Sequence, residues 1–135
     1  MWIFTRWGFY SCVCARQGSG GPQDPVDPQL IIVRTRDRVY LENLQSHLPD
    51  LIGGCDIHEI ESDDYAYQIL VSKSIWSQVM MTLNQEIDYD SFKTEAERKR
   101  GFENPHYVQL LKKIWAVLRS KPSGKPVKKK AKQKT

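Results

Sequence analysis

The composition of the last 15 residues excludes them from any folded core. Residues 121–135 contain seven lysines, two prolines, a glycine and no acidic residue. Such a segment cannot bury enough apolar surface to offset an ordering entropy of about 1–2 kcal/mol per residue. We therefore predict one domain in residues 1–120, a length that suits a single core, and a disordered basic tail in residues 121–135.

The tail also carries the basic charge of the chain. The net charge is +4, yet residues 1–120 hold all 16 Asp/Glu against 13 Lys/Arg, so the domain itself is mildly acidic. A lysine-rich run predicts salt-sensitive contacts with phosphates that do not depend on base sequence. Lysines without arginines or interleaved aromatic residues argue against base reading. The candidate nucleic-acid-binding residues are Lys121, Lys125, Lys128, Lys129, Lys130, Lys132 and Lys134. The alternative is a solvated tail that only aids solubility.

Cysteine usage and hydropathy bear on compartment and cofactors. Three cysteines form neither a disulfide framework nor a zinc-binding spacing, even with the three histidines, so we predict no metal and no cofactor. The first residues lack the pattern of a signal peptide, and no run of about 18 apolar residues occurs. A cytoplasmic protein without membrane contact is the expectation.

Hydrophobic periodicity and turn signals predict the elements of the domain. Alternating or β-branched runs indicate strands at 2–4, 9–15, 30–35, 56–60 and 65–71, with a loop at 17–29 that has no regular structure. Apolar residues at helical spacing predict a helix that begins after Asp37 and ends near residue 48. A serine N-cap at Ser72 or Ser74 predicts a second helix, whose apolar stripe runs to Ile87.

Two further helices are predicted near the end of the domain. Thr94 and Glu97 have the spacing of a capping box, and Gly101 is a candidate left-handed helix end, which indicates a short exposed helix. Asn104-Pro105 is a strong start signal, and the best apolar stripe of the chain follows at 107–118.

This element order favours an α+β fold. Antiparallel hairpins with helices on one face pack most simply as a two-layer sandwich. We expect a mainly antiparallel sheet, with a ferredoxin-like arrangement as the leading variant.

Several segments resemble a family of short, uncharacterised bacterial and phage proteins. These proteins open Met-Trp-aliphatic-x-Thr-x-x-Gly-Phe-aromatic-Ser, and this chain opens Met-Trp-Ile-Phe-Thr-Arg-Trp-Gly-Phe-Tyr-Ser. The likeness continues through 33–36, 41–44 and 87–93, with Tyr107 and Trp115. Where the family usually has Asn before a Phe-Lys pair, this chain has Ser91. The resemblance implies a single-domain bacterial or phage protein and adds no mechanism.

Two charged patterns in the domain are candidate sites. Arg34, Arg36 and Arg38 recur at steps of two before a predicted helix start, where free amides would add positive potential for an anion. The alternative is a solvated strand end, ion-paired with acids such as Glu59, Glu61 or Asp63. Separately, Asp88, Asp90 and Lys93 could do acid–base work in a closed cleft, or only form a helix end and a turn.

Three functional hypotheses follow. The first is a non-enzymatic binding module whose tail contacts DNA or RNA. The second is a protein-interaction or regulatory factor, or a homodimer, that uses the last helix or an N-terminal sheet containing Trp2, Phe4, Trp7, Phe9 and Tyr10. The third is a small enzyme or an anion-binding domain around Arg34 and Arg36. The enzyme requires these arginines to share one cleft with Asp88 and Lys93.

Overall fold

The computed structural model describes residues 1–61, 63–101 and 103–120. The predicted disordered tail, with its seven candidate lysines, lies outside the described residues. The domain boundary at 120 was set by composition alone and stays a prediction.

In the described residues, five antiparallel strands form one sheet and five helices pack with it. The sheet order is β1-β2-β3-β5-β4. Its strands are β1 (Trp2–Thr5), β2 (Gly8–Arg16), β3 (Val26–Thr35), β4 (His58–Glu59) and β5 (Tyr67–Ser72). The helices are α1 (Arg38–His47), α2 (Pro49–Ile52), α3 (Lys73–Gln85), α4 (Phe92–Arg100) and α5 (Pro105–Arg119).

The architecture confirms the predicted α+β sandwich with a mainly antiparallel sheet. The ferredoxin-like variant is wrong, because that fold separates its first two strands by a helix. Here β1, β2 and β3 follow one another directly and are neighbours in the sheet. The tight turn at Gly8 and the loop after β2 join them without a helical crossover.

The strand register assigns side chains to two faces of the sheet. Cys12 lies opposite Val33, and Val33 lies opposite Ile69, so these residues share the face that packs under α1 and α3. Ser11, Arg34 and Gln68 form the adjacent row and therefore point to the other face, which we call the open face. The open face carries Trp2 and Leu70, which are 70% and 50% exposed.

Strand β3 begins inside the segment that was predicted to be a loop. Val26 and Asp27 pair with Arg16 and Ala15, so the actual loop ends at residue 25. The register of β2 shifts between Cys14 and Ala15, and residues 28–30 have no partner on β2. Pro28 falls in this bulge, where its missing N–H breaks no ladder hydrogen bond.

Helix starts follow side-chain caps, most of them as predicted. The Asp37 carboxylate accepts the Val39 N–H, the Ser72 hydroxyl accepts the Ile75 N–H, and the Asn104 side chain accepts the Tyr107 N–H. Each cap satisfies an amide that the first turn leaves free, and Pro105 at the first position of α5 needs none.

Helix α4 differs from the prediction at both ends. Its N-cap is Ser91, whose hydroxyl accepts the Thr94 N–H, so the Thr94–Glu97 capping box does not open the helix. Gly101 has φ −55° and ψ −37°, which is right-handed, so the predicted left-handed end is wrong. The 3.0 Å bond from the Glu95 N–H to the Ser91 carbonyl shows that helical bonding starts at this serine.

Helices α4 and α5 pack against the β1–β2 turn and donate hydrogen bonds to its backbone carbonyls. The Tyr107 hydroxyl donates to the Thr5 carbonyl, and Arg100 Nε donates to the Arg6 carbonyl at 3.2 Å. Only the first half of α5 is buried against the domain. Trp115 and Leu118, in its second half, are 46% and 78% exposed.

Candidate functional site

Arg34 and Arg36 lie together on the open face. Arg34 lies in β3 and Arg36 follows one residue after its end, and both side chains reach Tyr65, which precedes β5. Their guanidinium carbons lie 4.5 and 5.4 Å from the centroid of the Tyr65 ring, within cation–π range. Arg34 Nε also donates to the buried Ser11 hydroxyl at 3.3 Å, which holds this side chain along the sheet.

Neither guanidinium is neutralised within the described part of the chain. Over residues 1–61, 63–101 and 103–120, no Asp or Glu oxygen lies within 4.0 Å of Arg34 or Arg36. The alternative of ion pairs to Glu59, Glu61 or Asp63 is therefore not what forms. Asp63 instead accepts the Tyr65 N–H at 3.1 Å and helps to fix that ring.

Aromatic rings continue across the open face from the two arginines. The Tyr65 and Phe9 ring centroids are 6.3 Å apart, and those of Phe9 and Trp2 are 6.0 Å apart with perpendicular planes. We call Trp2, Phe9 and Tyr65 the aromatic row. Phe4 stacks on Phe9 at 4.6 Å and supports the row from β1. The arrangement places π-faces and unpaired positive charge side by side.

Arg38 is not part of this pair. Its Nε lies 3.4 Å from Glu42 one turn along α1, and the Asp37 carboxylate occupies the helix start where an anion was predicted to bind. A cavity of about 400 Å³ nevertheless adjoins the site at this end of the sheet. Its lining includes Phe9, Arg36, Asp37, Arg38, Tyr67 and His106.

The four residues of the enzyme hypothesis have separate environments. Arg34 and Arg36 stack on Tyr65, whereas Lys93 Nζ lies 4.4 Å from the Trp115 ring and lines a different cavity. Asp88 Oδ1 lies 3.6 Å from Arg6 Nη1 and is mostly exposed. The structure therefore brings the two arginines together and does not bring Lys93 or Asp88 to them.

A charged network around Arg6 was not found from the sequence. Arg6 Nη1 lies 2.8 Å from Glu95, and Arg6 Nη2 lies 3.7 Å from Glu86. His47 Nε2 is 2.7 Å from Glu86, and its ring stacks on Trp7 at 4.0 Å. These residues come from the β1–β2 turn, α1, the end of α3 and α4, so no local spacing could have signalled them. Each positive group of the network lies beside a carboxylate from another segment, so we interpret the network as a structural contact between these segments.

Two of the three cysteines, Cys12 and Cys55, are at least partly buried. Burial raises the pKa of Cys12 to about 11, and burial beside Asp56 raises the pKa of Cys55. These thiols are therefore protonated and weakly nucleophilic near neutral pH. In the described residues, no group of three or more His, Cys, Asp or Glu side chains is placed to hold a metal ion.

Comparisons with protein-family models, with curated proteins and with solved structures gave no match to this chain. The resemblance to short bacterial and phage proteins therefore stays a prediction. No helix within the described ranges is both long and apolar enough to cross a membrane.

Proposed function

We propose that this protein is a non-enzymatic module that binds single-stranded nucleic acid on the open face of its sheet, with the basic tail adding phosphate contacts. The observation that supports the proposal most directly is the aromatic row next to two guanidinium groups without carboxylate partners. Cytoplasmic location is part of the same proposal.

The chemistry of the row suits unpaired bases. Bases stack on aromatic rings with about 1–3 kcal/mol per base and with little sequence preference, because every base has a π-face. Trp2 is the most exposed ring of the row and Tyr65 is partly exposed, so both present surface to a ligand. Arg34 and Arg36 would pair with the phosphates between stacked bases, as guanidinium groups do well.

The tail supplies the long-range part of the interaction. Its seven lysines follow a domain in which acidic residues outnumber basic ones, so the attraction to a polyanion has to come from local positive charge rather than from net charge. Each lysine that neutralises a phosphate releases counterions and steepens the salt dependence. The open face would then contribute the contact that distinguishes unpaired from paired strands.

The test is fluorescence anisotropy with labelled single-stranded RNA and DNA and a matching duplex, over a range of salt concentrations. Removal of residues 121–135 should lower the magnitude of the salt slope by up to about 5, which is roughly 0.7 for each lysine lost. Trp2→Ala should weaken binding of single strands about fivefold or more, while Trp115→Ala, a matched control outside the row, should not.

The arginines are tested in the same assay. Arg34→Ala with Arg36→Ala should weaken binding about tenfold and reduce the magnitude of the salt slope by about 1.4, which is roughly 0.7 for each arginine. Arg38→Ala, whose guanidinium is paired with Glu42, should change the slope much less. The proposal for the tail is wrong if the shortened protein binds as well as the full chain. The proposal for the open face is wrong if duplex and single strands bind equally and Trp2→Ala has no effect.

A further inference from the structure

Helix α5 and the start of α4 enclose an apolar groove beside Phe4 of β1. The groove has a volume of about 270 Å³. Its apolar lining consists of Phe4, Phe92, Leu111, Ile114, Trp115 and Leu118. Val117 and Leu118, in the last turn of α5, are 70% and 78% exposed, so apolar surface continues from the groove to the helix end. The apolar stripe of α5 therefore extends past the residues that are buried against the rest of the domain.

The two charged side chains next to Trp115 in this groove are positive. Lys93 is the only charged residue among the described residues that line the groove, and its Nζ lies 4.4 Å from the centroid of the Trp115 ring. The Arg119 guanidinium carbon lies 5.2 Å from the same ring on α5. Lys112 Nζ lies 3.7 Å from Glu97 of α4, so that pair adds no net charge near the groove. The seven tail lysines follow directly after Ser120. Helix α5 has no acidic residue.

This charge pattern selects among possible occupants. A second copy of the chain would bring two sets of lysines and arginines together, and like charges across an interface cost binding energy. An acidic partner would instead gain attraction at the rim while it fills the apolar floor. The concave shape suits discrete side chains that project from a helix, a common mode of recognition in apolar grooves.

The geometry points to the α4–α5 groove as a docking site for an amphipathic, acidic helix of a partner protein. Two or three apolar side chains of that helix contact Phe92, Trp115 and Leu118, and its carboxylates meet Lys93 and Arg119. The groove adjoins the open face at Phe4, which lines the groove and stacks on Phe9. The helix contacts at Trp115, Leu118 and Lys93 nevertheless use residues other than Trp2, Arg34 and Arg36.

The test uses full-length protein and three labelled peptides of roughly 14 residues, a length that spans such a groove. The first has leucines at helical spacing on one face and glutamates elsewhere. The second has the same composition in scrambled order, which controls for non-specific attraction to the tail. The third keeps the leucines and replaces the glutamates by glutamines.

We expect the first peptide to bind at least about tenfold more tightly than the other two. Leu118→Glu should remove that preference, whereas Met81→Glu, an exposed apolar position on α3, should retain it. Amide shifts on binding should centre on Phe92 and Trp115 and leave Tyr65 unchanged.

Three outcomes would overturn the proposal. Equal binding of the ordered and scrambled acidic peptides would assign the interaction to the tail. A dimer in sedimentation that Leu118→Glu dissociates would assign the groove to a second copy. Binding to phosphatidylserine vesicles that depends on Leu118, without a preference among the peptides, would assign it to an anionic lipid surface.

Discussion

Arg6 joins three segments that are distant in the sequence. Its guanidinium reaches Glu95 on α4 and both Glu86 and Asp88 after α3, and it lies within 5.7 Å of the Trp7 and Tyr89 ring centroids. The side chain is only 13% exposed, so its charge depends on these carboxylates. A single residue in a tight turn thereby fixes how α4 sits against β1.

Glu95 makes the stability of this contact depend on pH. Hydrogen bonds from Arg98 and Arg6 lower the pKa of its carboxyl below the ordinary value of 4.5. A group whose pKa is lower in the folded state adds stability above its unfolded pKa, and that stability is lost as the pH falls through the folded pKa. We therefore expect the free energy of unfolding to decline below about pH 4.5.

The Glu95 contribution is measured by urea denaturation between about pH 7 and pH 3. Glu95→Gln should flatten the decline at acid pH, although it lowers stability near neutrality by removing the charge that Arg6 and Arg98 contact. Glu97→Gln, an exposed acid on the same helix, is the control and should keep the wild-type profile. Parallel profiles for Glu95→Gln and the wild type would show that Glu95 does not contribute.

Tyr107 tests the buried contact between α5 and the β1–β2 turn. Tyr107→Phe removes the hydroxyl that donates to the Thr5 carbonyl and leaves that oxygen buried without this partner. We expect a loss of about 1–3 kcal/mol in the free energy of unfolding, the usual cost of an unsatisfied buried group. Tyr65→Phe, at a partly exposed ring, should cost much less. A neutral Tyr107→Phe would mean that the closure depends on ring packing with Tyr40 alone.

Helices α4 and α5 differ in how their sequences determine them. Helix α5 has a strong cap, a proline at its first position and a regular apolar stripe, and it forms where the pattern indicated. Helix α4 is highly charged and short, and its buried residues include Glu95 and Arg100. These two side chains are buried because Arg6 and the β1–β2 turn provide their partners. Tertiary contacts therefore stabilise α4 more than its own periodicity does.

The cap of α4 is a test at this scale. Ser91→Ala removes the oxygen that accepts the Thr94 N–H and should cost about 1 kcal/mol. Ser91→Asn should be nearly neutral, because Asn and Ser cap helices equally well. Denaturation and amide exchange of α4 measure both variants, and equal loss in Ser91→Asn and Ser91→Ala would exclude a capping role.

At the scale of the whole molecule, charge and core are separate. The buried cluster of the described residues extends from Tyr10 to Leu111 and belongs to a segment with more acidic than basic residues. The excess of positive charge belongs to residues 121–135. The two properties can therefore be changed independently.

Removal of residues 121–135 should leave the fold and its stability unchanged. We expect a Tm within about 2 °C of the full chain, because the apolar burial that stabilises the domain lies before this segment. Differential scanning calorimetry and the amide spectrum of residues 1–120 give the measurement. A markedly lower Tm would show that the segment packs on the domain and that the boundary at residue 120 is wrong.

More of the fold than of the candidate site could be predicted from the sequence. Strand and helix types followed from periodicity, and the caps at Asp37, Ser72 and Asn104 located three helix starts. The start of β3 was missed because a proline inside a strand is typical of a break. Only the bulge at residues 28–30 of β3, which contains Pro28, makes the proline compatible with pairing to β2. The sharing of one face by Arg34 and Arg36 followed from the period of a strand. Their common partner Tyr65 did not, because it comes from the loop before β5, far from β3 in the sequence.

The sequence by itself determined which residues could form a core, where most helices begin and where the positive charge is concentrated. These properties depend on near neighbours in the chain, so period, caps and composition reveal them. Only the tertiary structure decided the sheet order, the aromatic row, the Arg6 network and the uncovered half of α5. Each of these depends on contacts between residues far apart in sequence, and on which apolar surface the rest of the domain leaves uncovered.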